Sequence, residues 1–140
     1  MSAAEGSNFD EGSVTITQLQ PLRAARNGGI VVPKSIIDKS IDYLTKSTTA
    51  DGGVIYSLQH GGGGSRPALT AAAVASAFSQ GEYKSDVAKK WLKYCQKIPF
   101  GKGRQPHDEY QNYYFAQAMY LLGDDGWEKL LIGSANGIVR

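Results

Sequence analysis

The chain has 140 residues, 15 lysines and arginines against 13 aspartates and glutamates, a formal net charge of +2, 41% hydrophobic residues and a single cysteine. That length and balance support one folded domain with a real core, and they exclude wholesale disorder. The basicity is weak and spread out, which argues against nucleic acid or an anionic membrane as partner; one cysteine excludes an internal disulfide and supplies no metal spacing, and no apolar run approaches a membrane span.

Residues 1–12, MSAAEGSNFDEG, are small, polar and acidic, and are expected to form a mobile tail. They lack the basic-then-apolar layout of a signal peptide, so the expectation is a soluble protein, cytoplasmic by default. In SVTITQLQPLRAARNGG, Val14, Ile16 and the interleaved threonines admit a strand by alternation, whereas Pro21 followed by LRAARN and Gly28-Gly29 reads as a helix running to its glycine stop. A helix is the expectation here. Its first half is taken as irregular, because a proline inside a helix costs about 3 kcal/mol or a kink.

A clearer helix is predicted over 33–47. Ile36, Ile37, Ser40, Tyr43, Leu44 and Ser47 fall on one side, and Asp38, Lys39, Asp42 and Lys46 on the other. A long glycine-rich loop, TADGGVIYSLQHGGGGSR, carries one short apolar run, Val54 to Leu58. PALTAAAVASAFSQG follows. It contains no charge, begins with a proline suited to a first turn and ends at Gly81. A helix that is small or apolar on every side offers no face to water, so it is expected to be buried all round and to serve as the middle layer of the molecule.

Lys84 to Ile98 is one-sided again, with Val87, Trp91, Tyr94, Cys95 and Ile98 as its apolar stripe and Lys89, Lys90, Lys93 and Lys97 facing away. Pro99 to Gly103 breaks the pattern. The last strong helix is predicted over Asp108–Leu122, stopped by Gly123, after which 133–140 is expected to fray. Overlaying the segments reveals a repeat: Ile36, Ile41 and Tyr43 fall on Val87, Leu92 and Tyr94, and Thr17, Ala24 and Gly28 fall on Thr70, Ala77 and Gly81. The predicted fold is therefore all-α, with three helical hairpins of inner and outer helices in units 13–47, 66–98 and 108–132.

DYLTKSTTADGGVIYS (42–57), SRPALTAAAVASAF (65–78) and DEYQNYYFAQAMYLLG (108–123) together resemble the prenyltransferase/squalene-cyclase repeat superfamily. The first is similar to its outer helix with a Gly-Gly-plus-aromatic turn, the second to its small-residue inner helix, and the third to its Asp-x-Tyr-x-x-Tyr inner helix. The resemblance implies part of an α/α toroid and a hydrophobic, isoprenoid-like or peptide ligand. It also implies an unfinished ring, hence self-association or membership of a longer chain. The catalytic motifs of the superfamily are absent here: there is no Asp-x-Asp-Asp, Asp124-Asp125 lacks the first carboxylate, and Gln111 stands where the protein prenyltransferases place a zinc-ligand histidine. A non-catalytic binding module with no metal or other cofactor is thus the first reading. A fragment of an isoprenoid-processing enzyme, a cyclase or prenyltransferase, is the alternative.

Candidate ligand-lining residues are Tyr110, Tyr113, Tyr114, Gln117 and Tyr120, which share one side of the last helix, together with Thr70 and Arg66. Tyrosine combines flat apolar area with an edge hydroxyl, which suits a cavity wall; ordinary core packing is the simpler account of such a stripe. His60 and His107 have no nucleophile–base–acid constellation around them and read as exposed loop histidines, Cys95 in its apolar stripe is expected to be buried and inert, and Gly61–Gly64 lacks the lysine-hydroxyl ending of a phosphate loop, so a flexible connection is expected there. The lysines of 84–98 read as a solvated outer face. Asp108 and Glu109, as helix neighbours, point apart and suit a helix N-terminus better than acid–base chemistry.

Overall fold

Residues 10–59, 63–81, 84–98 and 108–123 are described in a computed structural model of the chain, and within them the protein is all-α. The helices are α1 (Gly12–Asn27), α2 (Lys34–Lys46), α3 (Pro67–Ser79), α4 (Asp86–Cys95) and α5 (Asp108–Leu122). No helix among the described residues is long and apolar enough to cross a membrane.

α3 is the hub, as its composition predicts. Every residue from Leu69 to Phe78 is buried, and α1, α4 and α5 all pack against it. Alanine explains both facts: it is the best helix former, and its small side chain lets several neighbours approach one axis at once. Pro67 occupies the first turn, where its missing N–H is harmless. α1 and α3 run parallel, because Gly12 faces Leu69 at one end and Gln80 Nε2 donates to the Leu19 carbonyl at 3.1 Å towards the other. α2 packs on α1, and α2 and α4 carry their charged faces outward.

The structure corrects several boundaries. The expected tail is anchored by residue 10: Asp10 accepts hydrogen bonds from Tyr43 and Ser57, and the Gly12 amide donates to the Tyr56 carbonyl at 2.9 Å. α1 is helical from its first residues, with Pro21 inside it. Pro21 lies on the exposed side, so the carbonyl it leaves unpaired faces water, while Ile16 and Leu19 are fully buried and hold both halves of the helix in place. Its C-terminus closes with the Ile30 amide on Ala25 O and the Gly29 amide on Arg26 O; this cap needs a left-handed residue, and Gly29 has φ +84°. α2 packs through its C-terminal half, where Leu44 and Ser47 are buried, and leaves Ile36 of the supposed packing side exposed. α4 stops at Cys95, short of Ile98. Of the third unit the structure describes α5 alone; 124–132 and the tail 133–140 lie outside the described residues.

The glycine-rich connection is also more structured than its composition suggests. Thr48 and Val54 form an isolated antiparallel bridge, and the Ile55 amide donates to the Ser47 carbonyl at 2.9 Å. Asp51 closes the turn, accepting from Ser65 Oγ at 2.6 Å, from the Gly53 amide at 3.0 Å and from the Thr49 hydroxyl. Tyr94 of α4 donates to the same Ser65 at 2.9 Å, tying the turn to the hub's neighbour. His60 to Gly62 fall outside the described residues.

The donors on Asp51, Ser65 first and then Thr49 and Gly53, draw its carboxyl from 3.8 down to about 2. A carboxyl lowered by folding stabilises the native state fully above its unfolded value and loses that contribution as the pH falls through the folded one. The thermal unfolding midpoint is therefore expected to drop as the pH is taken from 3.8 to about 2. Asp51→Asn is expected to flatten that part of the profile. Equal slopes for the two proteins would show that the turn is not held by this carboxylate.

Candidate functional site: the aromatic side of the last helix

α5 buries a face of three- and four-residue spacing against α3, made of Gln111, Tyr114, Phe115, Ala118 and Met119. Glu109, Asn112, Tyr113 and Tyr120 look outward. The tyrosine set proposed from sequence therefore divides. Tyr114 belongs to the core at 6% exposure, Tyr113 and Tyr120 stand in solvent at 61% and 74%, and Tyr110 and Gln117 lie on the boundary. The rings still form one array, because Tyr114 meets Tyr110 edge-to-face at 4.6 Å and Tyr113 at 5.1 Å. Such contacts add roughly 0.5–1.5 kcal/mol beyond burial and fix ring orientation. Tyr110 places its hydroxyl oxygen in the interior without a well-formed hydrogen bond. Burial, with the adjacent Tyr114 phenol and the Glu11 charge adding to it, pushes its ionisation above the usual range.

The other candidates are committed elsewhere. Gln117 accepts from Gln20 Nε2 at 3.2 Å and so links α5 to α1. Thr70 is fully buried, and both functions of its hydroxyl are used: it donates to the Arg66 carbonyl at 2.8 Å and accepts from the Val54 amide at 2.9 Å. It is thus a fastener between the hub and the Gly-Gly turn. Arg66 is exposed, and its own amide donates to the Val54 carbonyl at 2.8 Å. Cys95 is buried, and burial pushes its thiol up to about 12. Lys89, Lys90, Lys93 and Lys97 are exposed, as their spacing predicts. Among the described residues no group of three or more His, Cys, Asp or Glu side chains could hold a metal ion. His107 and Asp124-Asp125 lie outside the described residues.

Sequence reasoning missed two carboxylates held just ahead of α1. Glu11 accepts from the hydroxyls of Ser13 and Tyr56, which hold its carboxyl below the usual range. Its charge in turn raises Tyr56, Tyr43 and Tyr110, although burial dominates for the last two. Beside it Asp10 accepts four hydrogen bonds: from Tyr43 at 2.8 Å, Ser57 at 2.5 Å and the amides of Leu58 and Gln59 at 2.7 and 3.1 Å. Crowding by the chain works against ionisation of Asp10, but these donors outweigh it and keep the carboxyl well below the ordinary range. The one signal available in the sequence was the adjacent acidic pair just ahead of the first apolar-periodic residue. Compared with protein-family models, curated proteins and solved structures, the chain has no match.

Proposed function

We propose that this chain is a helical-repeat binding module of the prenyltransferase/squalene-cyclase kind, and that it holds a polypeptide partner against the exposed tyrosines of α5. The observation that carries this reading is the pair Tyr113 and Tyr120, two large rings on one helix face at 61% and 74% exposure, with the smaller Ala116 between them. Seven residues apart on a helix, they stand about 10 Å from each other on the same side. Aromatic side chains so displayed are the residue type that dominates protein interfaces, since two rotatable angles bring a large apolar area and a hydroxyl. Burying one fully contributes roughly 1.5–3 kcal/mol.

A polypeptide fits this surface better than an isoprenoid does. An isoprenoid needs an enclosed apolar wall, and the residues suited to one are consumed internally: Tyr114 in the core, Thr70 on Val54, Gln117 on Gln20. The kinship with the superfamily rests on the order of the three sequence motifs. The placement of a small-residue helix between α1 and α5, with polar-faced α2 and α4 outside, supports it.

The test is selection of a displayed random-peptide library on the immobilised chain, counter-selected on the Tyr113→Ala/Tyr120→Ala protein. Enriched peptides with apolar or aromatic residues whose binding falls about tenfold or more in the double variant support the reading, tenfold being some 1.4 kcal/mol. Peptides that bind both proteins equally overturn it. Saturable binding of a farnesyl-cysteine probe, unaffected by the double substitution, would overturn it in favour of an enclosed isoprenoid site.

A further inference from the structure

α3 is packed by helices of both neighbouring units, α1 before it and α5 after it. The sequence repeat lays α1 over α3, with Thr17 on Thr70 and Ala24 on Ala77. In the hub Thr70 and Ala77 are buried, at 0% and 1% exposure, whereas Thr17 and Ala24 are exposed. The same positions are covered in the second unit and bare in the first. The open side of α1 carries Val14, Thr17, Gln18, Pro21 and Ala24, all exposed and none charged. It lies opposite the buried Gly12, Ile16 and Leu19. α5 has its own open side, where Glu109 in the first turn is the one charge beside Asn112, Tyr113 and Tyr120. Gln20 and Gln117 join α1 to α5 within the chain and leave both open sides exposed.

Resting on the polypeptide-partner reading above, we infer that the partner is a second copy of this chain, whose α1 packs by its open side against Tyr113 and Tyr120 of α5. The contact continues an interface that the chain already contains: α1 packs on α3, α3 packs on α5, and α5 then receives the α1 of the next copy. The spacing matches. Thr17 and Ala24 are seven residues apart, as are Tyr113 and Tyr120, so each ring meets a smaller side chain whichever way the two helices run. Smaller side chains let helices approach closely, and a surface without charge loses little on leaving water. Because two different surfaces meet, the association is head-to-tail, and it grows past a dimer into a closed ring or an open chain.

The experiment is analytical ultracentrifugation of the whole chain over a concentration series, with two variants that alter one surface each. Tyr113→Ala/Tyr120→Ala removes the rings, and Thr17→Glu/Ala24→Glu places charge on the open side of α1. All four positions are exposed, so both variants are expected to keep the circular dichroism of the unaltered chain. The unaltered chain is expected to form species larger than a dimer as its concentration rises. Each variant alone is expected to stay monomeric at concentrations about tenfold above those at which the unaltered chain associates. An equimolar mixture of the two variants is expected to form a dimer and nothing larger, since each supplies the surface that the other has lost. A chain that stays monomeric throughout overturns the inference. So does association that survives either double substitution, or a mixture that remains monomeric. Failure of the parent reading looks different: a monomeric chain that still enriches tyrosine-dependent peptides loses only the second copy, whereas a chain that does neither loses the polypeptide-partner reading as well.

Discussion

Replacing Trp91 by alanine is expected to lower the free energy of unfolding by about 3–5 kcal/mol, a large share of what a domain of this size has. Trp91 is the largest fully buried side chain among the described residues, and it connects two parts of the molecule. Its ring is the inward face of α4, and its Nε1 donates to Thr48 Oγ1 at 2.8 Å at the end of α2. Truncation leaves a cavity that neighbouring α3 cannot fill, since the side chains it offers are mostly alanine. Trp91→Phe separates the contributions. It retains most of the apolar volume and removes the indole donor, while Thr48 keeps a partner because its hydroxyl also donates to the Leu44 carbonyl at 2.8 Å. Phenylalanine should therefore recover more than half of the alanine loss. Urea unfolding followed by circular dichroism measures both; a loss below about 1 kcal/mol for the alanine protein would mean that α4 does not cover the hub.

Gly53→Ala is expected to destabilise by about 1–3 kcal/mol or somewhat more, far beyond what adding one methyl group usually does at a loop position. A Cβ at Gly53 would lie 2.3 Å from the Ser65 Cβ and 2.8 Å from the Tyr94 ring. Neither neighbour yields easily, because Ser65 and Tyr94 are hydrogen-bonded to each other and Ser65 to Asp51. Relieving the clash means opening the turn and with it the Thr48–Val54 bridge. Gly64→Ala is the control: nothing lies within 4 Å of its Cβ position and its φ is unexceptional, so its midpoint should stay within about 0.5 kcal/mol of the parent. Coincident unfolding curves for the two variants would remove the turn from the set of elements that define this fold.

Both predictions concern the joint between the Gly-Gly turn and the hub, and that joint shows where the sequence was readable and where it was not. The motif DGGVIYS was visible as a turn, but its role as a fixed element depends on Thr70, Ser65 and Tyr94, residues that reach it from elsewhere in the chain. The lysine face and apolar stripe of α4 were legible from spacing alone, and all four lysines are exposed. The tyrosines of α5 were legible as an aromatic side but not as buried or exposed. A helical wheel gives angles around an axis; which angle meets a neighbour is set by where the neighbour lies.

The sequence by itself determined that the molecule is helical, that the middle of α3, residues 69–78, lies inside it, and that α2 and α4 show charge to water. These are local properties, carried by propensity and by the period of apolar residues within single segments. The tertiary structure alone decided that Tyr114 is core while Tyr113 and Tyr120 are surface, that Pro21 is tolerated within α1, and that Asp10 and Glu11 anchor an edge. Each of those outcomes depends on a contact between distant residues, such as Asp10 with Ser57 or Gln20 with Gln117, and no periodicity within one segment encodes the partner it will meet.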